Sequence, residues 1–209
     1  MMNALTQEAQ AAISPNQALE LLKEGNQRFV AQKQHQRDLA LQVQQTRTGQ
    51  YPFATVLSCI DSRVPAETVF DQGIGDIFSV RIAGNFVNTD ILGSMEFACK
   101  LAGTKIILVL GHTACGAVKG ACDHAELGNL TAMLANLTPA VDAVTEPTEA
   151  SQRTSANSDF VNAVGTKNVA LTIERIRKES PVLAELEAEG AIQIVGGMYD
   201  IATGKVSFL

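Results

Sequence analysis

Two short segments carry the residues that could do chemistry: Cys59-Ile60-Asp61-Ser62-Arg63 and His112-Thr113-Ala114-Cys115-Gly116. Together they offer two thiolates, an imidazole and a carboxylate, the ligand types that zinc prefers. Cys59, Asp61 and Arg63 are spaced two apart, so an extended chain presents all three on one face. Asp61 and Arg63 can then pair as carboxylate and guanidinium. His112 and Cys115 are three apart, between Gly111 and Gly116, and a tight turn or a first helical turn aims both at one point. Gly116 lets backbone amides approach a bound anion closely. Taken singly, each residue has a bland reading: a buried Cys, a loop Asp, a surface Arg, a hydrogen-bonded His. The weight comes from the two clusters together, because three ligands with a spare carboxylate–guanidinium pair leave room for a reactive water. Cys122 and His124 form a rival ligand set, but they lie in a polar stretch that no strand positions. Cys99 falls on the apolar side of a predicted helix and reads as a small hydrophobe.

The elements that must position these residues alternate between strands and helices. Ser14-Pro15-Asn16-Gln17 reads as a helix start, with Ser14 as N-cap, Pro15 in the first position and Gln17 closing a capping box. Ala18, Leu22, Gly25 and Phe29 follow at helical spacing. A polar helix over Leu39–Arg47 comes next. This N-terminal arm, residues 1–48, carries few core residues and is expected to pack on a neighbouring subunit instead of its own core. Strands are predicted at Phe53–Ser58, Asp76–Ile82, Lys105–Leu110 and Ala191–Tyr199. A last one, Lys205–Phe208, returns across a turn at Thr203-Gly204. Helices are predicted at Ile91–Ala102, capped by Asp90 and stopped by Gly103, then at Leu127–Val144, Phe160–Lys178 and Leu183–Glu189. Lys105–Leu110 reads as a parallel strand buried on both faces. The pattern predicts an α/β fold: a mostly parallel central sheet flanked by helices, formed as a single domain whose catalytic core spans 49–209. Both clusters then fall at C-terminal ends of strands, where open α/β sheets bind ligands.

Composition narrows the partners. The chain has 209 residues, and its net charge of −6 argues against nucleic acid or an anionic membrane as the main partner. No apolar run is long enough for a membrane span. Met1 to Ala12 are polar and Ala-rich, unlike a signal peptide. Four cysteines are too few for a disulfide scaffold, and two belong to the clusters. A reducing, cytoplasmic location is expected, with export after loss of a presequence as the alternative.

Ser58-Cys59-Ile60-Asp61-Ser62-Arg63-Val64-Pro65, with Gly111-His112-Thr113-Ala114-Cys115-Gly116-Ala117-Val118, closely resembles the β-class carbonic anhydrases. The likeness continues through Arg81-Ile82-Ala83-Gly84-Asn85 and Gly196-Gly197-Met198-Tyr199-Asp200. The resemblance implies Zn2+ held by Cys59, His112 and Cys115, with Asp61 and Arg63 as a catalytic dyad. It implies reversible hydration of carbon dioxide to bicarbonate by attack of zinc-bound hydroxide. It places Gln50, Phe78, Ala83, Phe97 and Gly116 in the substrate pocket, Phe97 where the family usually has Tyr. A homodimer or a homotetramer built as a dimer of dimers is implied, with the pocket near the subunit boundary. One subgroup holds an inhibitory bicarbonate between Trp, Arg and Tyr. Arg81 and Tyr199 match, but Val56 stands at the Trp position, and Gln50 is typical of the other subgroup. Two thiolates cancel the charge of the dication, so the site should favour alkaline pH and should be easily captured by Asp61 as a fourth ligand in a closed state. The alternatives are a related hydrolase of carbon disulfide or carbonyl sulfide, a closed structural zinc site, and a thiol redox protein. The last lacks a Cys-x-x-Cys.

Overall fold

The computed structural model describes residues 3–209. The sheet grows from the most apolar runs of the chain. β1 (Ala54–Ser58) and β3 (Ile106–His112) are buried at every position and pair in parallel at the sheet centre. β2 (Ile77–Arg81) flanks β1 in parallel, and β4 (Gln193–Tyr199) flanks β3 in parallel. β5 (Val206–Phe208) closes the far edge antiparallel to β4, giving the order β2-β1-β3-β4-β5. The predicted α/β architecture is the observed one.

Alternation along the central strands sends side chains into two cores. Val56, Leu108 and Leu110 face one cluster with Ala18, Leu22, Phe70 and Tyr199. Leu57, Ile107 and Val109 face the other, with Met95, Val169, Ile176 and Leu183. The first cover comes from α2 (Pro15–Val30) and the short α4 (Ala66–Val69). The second comes from α5 (Thr89–Glu96), α9 (Ser158–Glu179) and α10 (Pro181–Ala188). α9 lies hard against the sheet, because Gly111 has no side chain. A Cβ there would sit 2.7 Å from Val169 Cγ2 and 2.6 Å from Met198 Sδ. β3 runs on to His112, beyond the end the sequence suggests at Leu110, because Gly111 and His112 still pair with Met198 and Tyr199 of β4.

Several expectations need correction. The arm docks on its own core: Ala18 and Leu22 of α2 are fully buried, and Asn26 donates to the Val69 and Gly204 carbonyls. Only α3 (Leu39–Thr46) fits the expected exposed arm, with Leu39 and Val43 facing out. The arm also contains a helix that composition did not announce, α1 (Gln7–Ala12), capped by Thr6. Met1 and Met2 lie outside the described residues. Asn88, not Asp90, caps α5 by accepting the Ile91 N–H, and Asp90 sits in the first turn, where its charge suits the helix dipole. The predicted 91–102 helix ends as a π-turn, Phe97–Leu101, before Gly103 at φ +82°. The predicted 127–144 helix is two, α7 (Gly128–Leu134) and α8 (Thr138–Ala143). Pro139 cannot donate back to the Ala135 carbonyl, so the chain restarts there. α6 (Gly116–Cys122) was missed because two glycines depress its propensity, and it is held by burial of Val118, Ala121 and Cys122.

Candidate metal centre

β1 and β3 end side by side and deliver the two clusters to one point. Cys59 Sγ and Cys115 Sγ are 3.9 Å apart. Their sulfurs and the His112 ring nitrogen all lie within 4.8 Å of one another, and all three residues are buried. Among the described residues this is the sole convergence of three or more His, Cys, Asp or Glu donors. Cys122 is buried and His124 exposed outside it, so the rival set does not assemble. Cys99 packs in the second core and accepts a hydrogen bond from the Thr104 hydroxyl.

The imidazole is oriented by the backbone. His112 Nδ1 lies 2.9 Å from the Thr113 carbonyl, which can only accept, so Nδ1 carries the proton. Nε2 is left as a lone-pair donor, buried and without a hydrogen-bond partner. A buried acceptor without a partner costs about 1–3 kcal/mol. A zinc ion bound by Cys, His and Cys would satisfy it, and the donor set fits that metal. The two thiols influence each other in a way that a shared cation would exploit. The hydrogen bond from the Cys115 thiol pulls Cys59 well below the ordinary thiol range against the opposing effect of burial; the Gly84 and Asp61 amides also help. Cys115 is pushed up, first by Cys59 and then by burial. Two adjacent thiolates repel, so only one forms easily without a cation, and a dication reverses that penalty.

Asp61 and Arg63 meet, though not through an extended chain. The backbone turns after Cys59, with Val64 N–H donating to the Asp61 carbonyl. Asp61 Oδ1 accepts the Arg63 backbone N–H at 2.9 Å and Nε at 2.9 Å, and Oδ2 accepts a terminal guanidinium N–H at 2.7 Å. The Arg63 guanidinium holds this carboxyl well below the usual carboxylate range despite partial burial. Oδ2 stands 3.9 Å from His112 Nε2, so the carboxylate lies beside the donor cluster while engaged elsewhere. Arg81, at the end of β2, donates to the Cys59 carbonyl at 3.0 Å and the Asp61 carbonyl at 2.7 Å.

The remaining residues are placed less uniformly. Phe78 and Phe97 stack edge-on with centroids 6.3 Å apart. They line an open groove of about 770 Å³ beside β2 that contains none of the three donors. Ala83 is half-buried and Gln50 exposed. A Cβ at Gly116 would meet nothing within 4 Å, so the approach to the first turn of α6 is open. Gly84 is tighter: its N–H donates to Cys59 Sγ at 3.4 Å, its φ is +83°, and a Cβ would fall 2.8 Å from Leu137 Cδ1. Sequence reasoning missed Gly84, Asn162 and Asn168 as neighbours of the site. Only the Arg81–Asn85 motif pointed toward Gly84, and nothing in the helical run 160–178 singled out the asparagines.

Comparison with known proteins agrees with this arrangement. A family model described as carbonic anhydrase matches residues 54–206. Carbonic anhydrase 2 of Mycobacterium tuberculosis is 35% identical over 193 residues, covering 92% of this chain and 91% of its own. Among solved structures, the β-carbonic anhydrase CafA of Aspergillus fumigatus superposes with a TM-score of 0.70 at 26% identity, over 80% of this chain and 79% of its own. One of two tetrameric β-carbonic anhydrases of Sordaria macrospora gives a TM-score of 0.67 at 26% identity, over 81% and 90%. With the family model spanning both ligand clusters and the strands β1 to β4, the chain belongs to the β-class carbonic anhydrase family of enzymes.

Proposed function

We propose that this enzyme hydrates carbon dioxide reversibly to bicarbonate at a zinc ion held by Cys59, His112 and Cys115. The observation that carries the reading is the convergence of two buried thiols and the unpartnered His112 Nε2 within 4.8 Å. When bound, zinc supplies an acidified water as nucleophile near neutral pH. Asp61 is placed to accept a hydrogen bond from that nucleophile and orient it, and Arg63 fixes the carboxylate by two charge-assisted hydrogen bonds. Freed from Arg63, the Asp61 carboxylate would be the group to supply a fourth ligand and close the site. The Gly116 amide region faces the product anion, and Ala83 with the Phe78 and Phe97 rings gives an apolar wall that excludes water. Gln50 donates to the bicarbonate oxygen. The groove and the donors are separate within one chain, so the pocket is completed near a subunit boundary in a homodimer or homotetramer. Support for this assembly is that β2 leaves one edge unpaired among the described residues, while Phe97 beside it is exposed at 54% and Leu101 at 76%. A fully active monomer in sedimentation at low micromolar concentration would contradict it. The whole chain acts as one domain, the 1–48 arm attached to a 49–209 core, in the cytoplasm. No helix among the described residues is long and apolar enough to cross a membrane.

Metal analysis of Cys115→Ser beside the parent protein tests the centre. About one zinc per chain in the parent and a clear loss in the variant are expected. Undiminished zinc in Cys115→Ser would refute the ligand assignment.

A further inference from the structure

α9 reaches both halves of the metal centre through two asparagines. Asn162 Oδ1 accepts the Ala114 N–H at 3.1 Å. Ala114 sits between His112 and Cys115 at φ +54°, a left-handed conformation that a Cβ disfavours. Asn168, 2% exposed, donates from Nδ2 to the Gly84 carbonyl at 2.8 Å. Gly84 in turn directs its N–H at Cys59 Sγ. The helix itself is anchored by Phe160, Val161, Val164 and Val169, all within 1% of full burial, so neither asparagine is free to drift.

We infer that Asn162 and Asn168 are positioning residues, through which α9 sets the two ligand loops at the spacing the metal needs. Asn162 holds the His112–Cys115 turn in its left-handed shape, and Asn168 holds Gly84 by its carbonyl, so that the Gly84 N–H points at the Cys59 sulfur. The two loops arrive from different strands, β1 and β3. A common rigid helix therefore fixes their separation before any metal binds. This inference rests on the zinc assignment above. Hydrogen-bonding partners of metal ligands typically change metal affinity by about 10–100-fold when removed.

The test compares zinc affinity by chelator competition, and cobalt(II) thiolate absorption, in Asn162→Leu, Asn162→Asp, Asn168→Leu and Ala114→Gly. Asn162→Leu and Asn168→Leu should each weaken zinc binding about tenfold or more. They should also alter the cobalt spectrum, with far-UV circular dichroism intact. Asn162→Asp keeps an acceptor and should stay near the parent. Ala114→Gly removes the backbone penalty and should restore part of the affinity when added to Asn162→Leu. Parent-like zinc affinity and cobalt spectrum in both Leu variants would overturn the inference while leaving the zinc assignment standing. Parent protein that holds no zinc would defeat both. If a Leu variant fails to fold, Asn162→Ser or Asn168→Ser takes its place, and parent-like zinc affinity and cobalt spectrum in the Ser variants would equally overturn the inference.

Discussion

Gly84→Ala tests how tightly the fold constrains the centre. The backbone at Gly84 has φ +83°, where a Cβ is strained by about 1–2 kcal/mol. The new Cβ would lie 2.8 and 3.0 Å from the two methyls of Leu137. Leu137 is fully buried in the cluster that contains Cys59 and Cys115, so it cannot swing into solvent. Overpacking of that kind adds about 1–3 kcal/mol. The combined loss is about 2–5 kcal/mol. With a urea m-value of about 2 kcal/mol/M, the midpoint falls by about 1–2.5 M. The shift also carries the Gly84 N–H away from Cys59 Sγ, so zinc should release more readily to a chelator. Gly116→Ala is the matched control, since nothing lies within 4 Å of its added Cβ and its φ is ordinary. Urea denaturation of both, at one protein concentration, is the assay. A Gly84→Ala midpoint within about 0.3 M of the parent would show that Leu137 yields freely and that the argument is wrong.

Three further outcomes are expected. Arg63→Ala should keep its zinc but lose about a hundredfold in stopped-flow carbon dioxide hydration, because Asp61 is no longer held in place; near-normal hydration would refute the dyad. Bicarbonate should inhibit only as a simple product: Val56 offers no N–H, and the Arg81 guanidinium is committed to the Cys59 and Asp61 carbonyls. Steep cooperative inhibition near neutral pH, abolished by Arg81→Ala with zinc retained, would reverse this reading. Burial pushes the Asp71 carboxyl up, but Arg28 and Arg37 outweigh it and leave its pKa lowered in the folded state. Its stabilisation is therefore complete above the ordinary carboxylate pKa of about 4 and is lost as pH falls through the lower folded value. Asp71→Asn should be less stable than the parent at pH 6 and approach it in acid; an equal gap at both pH values would exclude the linkage.

The sequence by itself determined the donor chemistry, because ligand type is a property of side chains: Cys59, His112 and Cys115 could be named from residue type and from the buried runs before them. It also determined the alternation of strands with the longer helices, since Ile106–Leu110 announces itself by continuous apolar content and Ala191–Tyr199 by apolar residues broken only by Gln193 and two glycines. Pairing of Asp61 with Arg63 was legible for the wrong geometric reason, because an extended chain was assumed where a turn occurs. What only the tertiary structure decided is contact between elements distant in the chain. The unpartnered state of His112 Nε2 depends on its ring meeting the Thr113 carbonyl on one side and two sulfurs on the other. The bracing of Ala114 and Gly84 comes from Asn162 and Asn168, 48 and 84 residues away. Periodicity reports how a residue faces its own helix or strand. It does not report which backbone amide from another element will stand opposite, and α6 formed despite weak local propensity because Val118 and Cys122 found burial.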